Sequence, residues 1–244
     1  MTEQQQGLRE RKRQRTYEAI SEAAIALFLE RGFDQVSVAE IAEAAEVSKP
    51  TLFRYFPAKE DMALYRFGDH EDEAARVVRG RAPDTSPLAA LHAHFLRGLA
   101  ERDPVTGLCD HEAVLAFHRL LYGTPSLVAR LHAYTSRSEH ALATALHEAA
   151  HGSGNGGGGG AARSAEEPES EPGLTARLAA GQIVAVQRIL ALDNWRRIAD
   201  GTPADEVYEG AVEAAEHAFA LLRSGLPDPD GAPREEGTGN ASAR

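Results

Sequence analysis

Hydrophobic positions recur with helical spacing along almost the whole chain. Over 16–31 they fall at Ile20, Ala24, Leu27 and Phe28, the three-to-four residue step of one buried helix face. Gly32 supplies the stop. Ser37-Val38-Ala39-Glu40 spells a capping box, in which the serine accepts from the third helical amide and the glutamate reaches back. It starts a short helix that carries Ile41 and ends near Ala45. Ser48 caps a second short helix over 49–56, with Pro50 in the first turn, where amides have no intrahelical partner anyway. Pro57 closes it, because the residue before a proline is pushed out of helical geometry. One helix is then expected over about 58–80.

Beyond Pro83 the helices lengthen. Leu88, Leu91, Phe95 and Leu99 form one stripe, and Val114, Phe117 and Leu121 another, broken at Gly123-Thr124-Pro125. Leu127, Leu131, Tyr134, Leu142 and Leu146 carry a third to about His151. Residues 152–173 include five consecutive glycines with Glu and Pro, too little apolar surface to offset ordering entropy, and read as a flexible insertion. Two long helices follow, over 174–200 and 204–224, and 225–244 read as a disordered tail. No strand signal and no internal repeat stand out, so the expected fold class is all-α. The expected organisation is a basic flexible arm (1–15), a helix-turn-helix unit (16–60) and a larger helical regulatory and dimerisation domain (61–224).

The formal net charge of −11 argues against nucleic acid only until the charge is located. Arg9, Arg11, Lys12, Arg13 and Arg15 fall within seven residues, a density matched nowhere else in the chain. Such a run is either a solvated arm or one that follows a DNA backbone or enters a minor groove. A single cysteine, Cys109, excludes an internal disulfide and suits a reducing cytoplasm. No run approaches the roughly 18 apolar residues of a membrane span. Neither a P-loop nor a dinucleotide fingerprint, a G-x-S-x-G elbow or an HExxH helix is present, so neither an enzyme nor a cofactor is expected. His92 and His94, two apart on a helix, diverge. Cys109, Asp110, His111 and Glu112 are good ligand types, but without a second cluster they spell no metal site.

The two short helices joined by Ala45-Glu46-Val47-Ser48 form a helix-turn-helix, whose second helix enters a major groove with its N-terminal residues foremost. The residues Ala26-Leu27-Phe28, Arg31-Gly32-Phe33, Val38, Ile41-Ala42, Val47-Ser48 and Thr51-Leu52-Phe53-Arg54-Tyr55-Phe56-Pro57-Ala58-Lys59-Glu60 resemble the DNA-binding domain of the TetR family. The resemblance covers about 16–64. It implies a three-helix DNA-binding head, a helical ligand-binding and dimerisation domain, and release of operator DNA by a small molecule. It places Lys49 and Pro50 at base edges, where lysine can donate to guanine. Arg54 is placed at the groove or the backbone, and Thr51, Tyr55 and Lys59 at phosphates, with Ser37 and Ser48 at the helix starts. Arg11, Lys12 and Arg13 are candidate DNA contacts beside them. Phe53 stands where the family commonly has tyrosine, and Ala58 where it has a capping serine.

For the larger domain, the resemblance implies a pocket between helices and a homodimer through the last two helices. Pocket candidates are Phe95, Cys109, His118, Tyr122 and Trp195, aromatic or polarisable residues among aliphatic stripes; each equally suits a core. Ile183, Val186, Leu190, Val207, Ala211, Ala214, Ala218 and Leu222 form apolar stripes suited either to a four-helix interface or to the subunit's own core. An architectural DNA-binding protein without ligand control is the alternative.

Overall fold

The structure, a computed structural model, describes residues 3–152 and 171–225. Most of the expected insertion and all but the first residue of the expected tail lie outside the described residues. The described residues form ten α-helices and two short 3-10 segments, without a strand. The all-helical fold expected from the periodicity is what is found.

The first helix, α1 (Glu3–Arg31), is unbroken. The basic run is therefore helical, and the expected arm over 1–15 is corrected. Arg, Lys, Gln and Glu are all good helix formers, and nothing between Arg9 and Thr16 stops the helix once its C-terminal half is held by packing. In that half, Ile20, Ala24 and Phe28 are buried against Ile41 of α2 (Val38–Ala44), Leu52 of α3 (Lys49–Tyr55) and Met62 of α4 (Lys59–Leu64). The buried Ser21 hydroxyl donates to the Met62 carbonyl at 2.8 Å, tying α1 to α4.

The single helix expected over 58–80 is absent. Instead, α4 passes into a 3-10 segment over Tyr65–His70, and α5 (Glu73–Arg79) starts after a turn. Gly68, in the middle, carries the largest backbone entropy cost of any residue and lets the helix break there. Tyr65 stacks on Tyr17 of α1 with centroids 5.3 Å apart, while Phe67 lies against Phe117 and Tyr134 of the body. This short segment joins head to body.

The body comprises α5, α6 (Pro87–Ala100), α7 (Glu112–Gly123), α8 (Pro125–Gly152), α9 (Leu174–Ala199) and α10 (Ala204–Ser224). Its core gathers Leu91, Leu99, Leu108, Leu142, Val207 and Phe219. Arginines of α8 pair with Asp61 of α4 and with Glu71, while Arg79 of α5 pairs with Glu148. Between α6 and α7, a turn over 103–108 docks on α9, where the buried Asn194 amide donates to the Thr106 carbonyl at 3.0 Å. Gly107 has φ 73 and lies against the Ala191 backbone, so that an added Cβ would fall 1.9 Å from the Ala191 carbonyl oxygen.

Most of the expected interface stripe belongs to this same core. Ile183, Val207 and Ala211 are buried within the subunit, and Leu190 and Leu222 pack on them. Val186 and Ala218 are half-buried, and only Ala214 is exposed. The cause is simple: α9 is apolar on more than one face, and the inward face is taken by α10 and α8.

Candidate nucleic-acid interface and ligand cavity

The turn between α2 and α3 is held by local bonds. The Val47 amide donates to the Ala42 carbonyl at 2.9 Å, and Glu46 adopts a left-handed backbone with φ 53. Ser37 completes a reciprocal box, accepting from the Glu40 amide while its own amide donates to the Glu40 carboxylate at 2.8 Å. That backbone bond is the main reason the carboxyl is held below its ordinary range, with the Ser37 side chain and Arg31 adding to it. Ser48 accepts from the Thr51 amide, and its hydroxyl lies 2.8 Å from that of Thr51.

With Leu52 buried, α3 turns Lys49, Pro50, Phe53 and Arg54 outward, and leaves Thr51 and Tyr55 half-exposed. The Tyr55 ring meets Tyr17 edge-on at 4.7 Å, and the Arg54 guanidinium sits 5.6 Å over it. Arg11, Lys12 and Arg13 are exposed on α1, and the Arg13 guanidinium lies 5.6 Å from the Tyr17 ring centre. The exposed ring of Phe53 was not anticipated from sequence as more than packing. Phe53 is 44% exposed on the same outward face as Lys49 and Arg54.

Lys59 is bonded within the head. Its ammonium donates to the carbonyls of Phe33 at 2.7 Å and Val36 at 3.0 Å, and lies 4.0 Å over the Phe33 ring. It pins the loop after α1 to the start of α4 with two of its three N–H donors. Lys59→Ala should leave both carbonyls unsatisfied and cost about 1–3 kcal/mol, read as a lower thermal midpoint. An unchanged midpoint would remove that role. Ala58 offers no side-chain acceptor; the Asp61 carboxylate takes the Ala58 amide at 3.2 Å, keeping half of a box.

Below the head, the body holds an inner cavity of about 200 Å³, lined among others by Phe67, Phe95, Tyr122, Tyr134, Val184 and Arg188. Beside it, an outer groove of about 310 Å³ runs between Ile25 and Leu29 of α1 and Val114, Phe117 and His118 of α7. Of the five pocket candidates, Phe95 and Tyr122 line the cavity and His118 lines the groove. Trp195 stands behind them, 4.9 Å from Tyr122 and 6.1 Å from His118. Cys109 lines neither; beside it, Asp110 accepts from the Ala204 amide and His111 from the Ala113 amide. Burial alone lowers the His118 pKa, and burial raises that of Tyr122 against the pull of Arg188 and Arg196. Phe67 and Tyr134 were missed because each reads as one more stripe residue, with nothing local to mark it as facing a cavity.

At the cavity rim, Glu73 accepts from His70 at 2.7 Å and from His94 at 3.1 Å. Arg97 can only donate, so its 2.8 Å contact fixes His94 Nδ1 as acceptor and Nε2–H as the donor to Glu73. These two bonds hold the Glu73 carboxyl far below its ordinary range. A carboxyl whose pKa is lowered on folding stabilises above its unfolded value, 4.5, and loses that stabilisation as pH falls toward its folded value. Melting should therefore show a gap between wild type and Glu73→Gln at neutral pH that narrows steadily below pH 4.5. A constant gap would mean the carboxylate charge is not what matters.

A capped helix-turn-helix with an exposed second helix, set on a larger all-helical body that contains a cavity, is the construction of a helix-turn-helix regulator. Residues 20–65 match the family profile described as bacterial regulatory proteins, tetR family. The chain is 35% identical over 134 residues to the HTH-type transcriptional regulator TcmR of Streptomyces glaucescens, covering 54% of this chain and 58% of TcmR. It is 33% identical over 72 residues to the HTH-type transcriptional regulator YuxN of Bacillus subtilis, covering 29% of this chain and 25% of that one. The chain thus matches little more than half the length of the first relative and a quarter of the second. The crystal structure of NalD, secondary repressor of the MexAB-OprM multidrug efflux pump in Pseudomonas aeruginosa, superposes with TM-score 0.51 at 20% identity. The superposition covers 84% of this chain and 97% of NalD, and shows a shared fold.

Proposed function

We propose that the chain is a sequence-specific DNA-binding transcriptional repressor, cytoplasmic and homodimeric, released from its operator by a small molecule. The observation that carries this reading is the outward row of Lys49, Pro50, Phe53 and Arg54 on a helix anchored by Leu52. Lys49 and Arg54 supply donors for guanine edges, Phe53 supplies an apolar surface, and the Thr51 and Tyr55 hydroxyls are donors suited to phosphate.

The second copy fits an outer face of α9 that the described residues leave uncovered. Leu174, Leu178 and Ile189 are 68%, 56% and 58% exposed, and their spacing sets them within about 60° of one another around the helix. With the exposed Ala214 of α10, they replace most of the stripe expected from sequence. Two heads must then lie about 34–36 Å apart, or a multiple, to reach successive major grooves.

Ligand coupling runs through the 3-10 segment, whose Tyr65 holds the head at Tyr17 while Phe67 lines the cavity. A molecule that favours another position of Phe67 favours another head spacing and weakens DNA binding, and DNA weakens its binding in return.

The test is binding of the purified protein to fragments of its own genomic neighbourhood at two salt concentrations. Selective binding that survives moderate salt and is lost in Lys49→Ala and Tyr55→Phe is expected. Equal, salt-labile binding to every fragment would overturn the reading.

A further inference from the structure

The inner cavity and the outer groove share a wall made of Phe67, His70 and Val105. The Phe67 ring lies 6.0 Å from that of Phe117 on the groove side and 5.8 Å, edge-on, from Tyr134 on the cavity side. Phe67 packs at the edge of the head's core without being fully buried, and it hangs from a 3-10 segment, whose hydrogen bonds are poorer than those of an α-helix. Among the described residues, four buried side-chain polar atoms have no hydrogen-bond partner, and two of them belong to residues that line the two sides of this wall: Tyr134 Oη on the cavity side and His118 Nδ1 on the groove side. Native structures satisfy nearly all such atoms, so two flanking one movable ring call for an explanation.

The polarity around them narrows the chemistry. Burial, together with Glu71, Glu73 and Asp72, holds the proton on the Tyr134 phenol, and Arg137 opposes them. The phenol is thus a neutral donor that offers an anion no full positive charge, and the carboxylates near it are already paired, Glu71 with Arg137, Asp72 with Arg76 and Glu73 with His70 and His94. Arg188 also lines the cavity, but its side chain is largely exposed to solvent. At the other end, burial keeps the His118 imidazole neutral. The surface between the two is mostly apolar, from Leu131, Val184, Ile25 and Leu29 with the aromatic rings, and Thr135, Ser138 and Gln187 are among the polar residues at the cavity. Ring contacts run from Tyr134 to Phe67 at 5.8 Å, on to Phe117 at 6.0 Å and to His118 at 6.4 Å, so a ligand that occupies both voids lies along four rings.

We propose that cavity and groove are two compartments of one binding site, opened to each other when Phe67 swings aside. Its ligand is an uncharged, elongated, largely apolar molecule with a hydrogen-bonding group at each end, one for Tyr134 Oη and one for His118 Nδ1. This inference rests on the ligand-responsive reading above.

The probe for the test is diethylstilbestrol, which is neutral and rigid and carries a phenol at each end. Binding to the full-length protein is followed by the fluorescence of Trp195, the chain's one tryptophan, and by calorimetry. One molecule per protomer is expected, with about tenfold weaker binding in Tyr134→Phe and again in His118→Leu, the size of one hydrogen bond each. Phe67→Ala should bind it more tightly, and stilbene-4,4′-dicarboxylate should bind at least tenfold more weakly to the wild type. Tyr134→Phe should melt no lower than wild type, because its hydroxyl has no partner to lose. If His118→Leu fails to fold, the dimethyl ether of the probe, which keeps an acceptor for Tyr134 but has no O–H to donate to His118 Nδ1, tests the second contact from the ligand side and must bind at least tenfold more weakly. Sensitivity to only one of the two substitutions, or weaker binding to Phe67→Ala, would overturn the shared site while leaving a ligand-binding protein. Uptake of neither probe by protein that still binds DNA would overturn the inference and count against ligand release as well.

Discussion

Gly107→Ala should lower the thermal midpoint by roughly 6–12 °C, corresponding to about 3 kcal/mol or more for a chain of this size. Two effects add. At φ 73 any Cβ is strained, and here the Cβ would meet backbone, 1.9 Å from the Ala191 oxygen and 2.7 Å from its carbonyl carbon. Backbone of a long helix cannot give way as the tip of a side chain can. Gly201→Ala separates the two effects, because Gly201 has φ 100 with nothing within 4 Å of the added carbon. That variant should lose only about 1 kcal/mol. Equal melting of the two variants would show that the 103–108 turn does not press on α9. If the contact is real, the loss reaches the site as well, since Val105 lines both the cavity and the groove.

Replacing Arg11, Lys12 and Arg13 together with alanine should weaken binding to every DNA fragment and reduce the salt slope by about 2 per head. The expected number is below three because the run is helical. Successive residues diverge by about 100° around the axis, so Arg11 points well away from Arg13. Arg13 shares a stripe with Tyr17, which meets Tyr55 at the end of α3, so its side of α1 is the one that follows the DNA face. Preference among sequences should stay the same, because phosphate contacts carry no sequence information. Gln14→Pro keeps every cation but breaks the helix, and should lose much of the same slope. If that variant binds like wild type, charge alone matters and the helical form of the run is irrelevant.

What was legible in the sequence was what is decided locally. The Ser37 box and the Ser48 cap are set by residues three apart, and both helices start where those residues place them. Packing partners chosen from afar were not legible. Lys59 reads as a surface cation, and only the fold brings the Phe33 and Val36 carbonyls to its ammonium. On α9, periodicity marks Ile183 and Leu190 as apolar, but cannot say whether the subunit or a second copy covers them. The N-terminal part of α1 is polar all round, so it gives no amphipathic signal although its residues favour a helix. Cavity walls are harder still, since Phe67 and Tyr134 differ from core residues only in having space on one side.

Leu121 of α7 and Leu127 of α8 are fully buried, yet they pack with Ile20, Phe28 and Leu52 rather than with the core of their own half. The head is therefore not a detachable module. A chimera that grafts its first 64 residues onto a foreign body would expose the patch those two leucines seal, unless the new body presents leucines in the same places. Natural exchange of reading heads between such proteins would be constrained at this seam, and a change of operator specificity would arise more readily by substitution along α3 than by shuffling. In native-state hydrogen exchange, the C-terminal half of α1 and the junction of α7 with α8 should open together as one cooperative unit, across a boundary that sequence alone would draw between them.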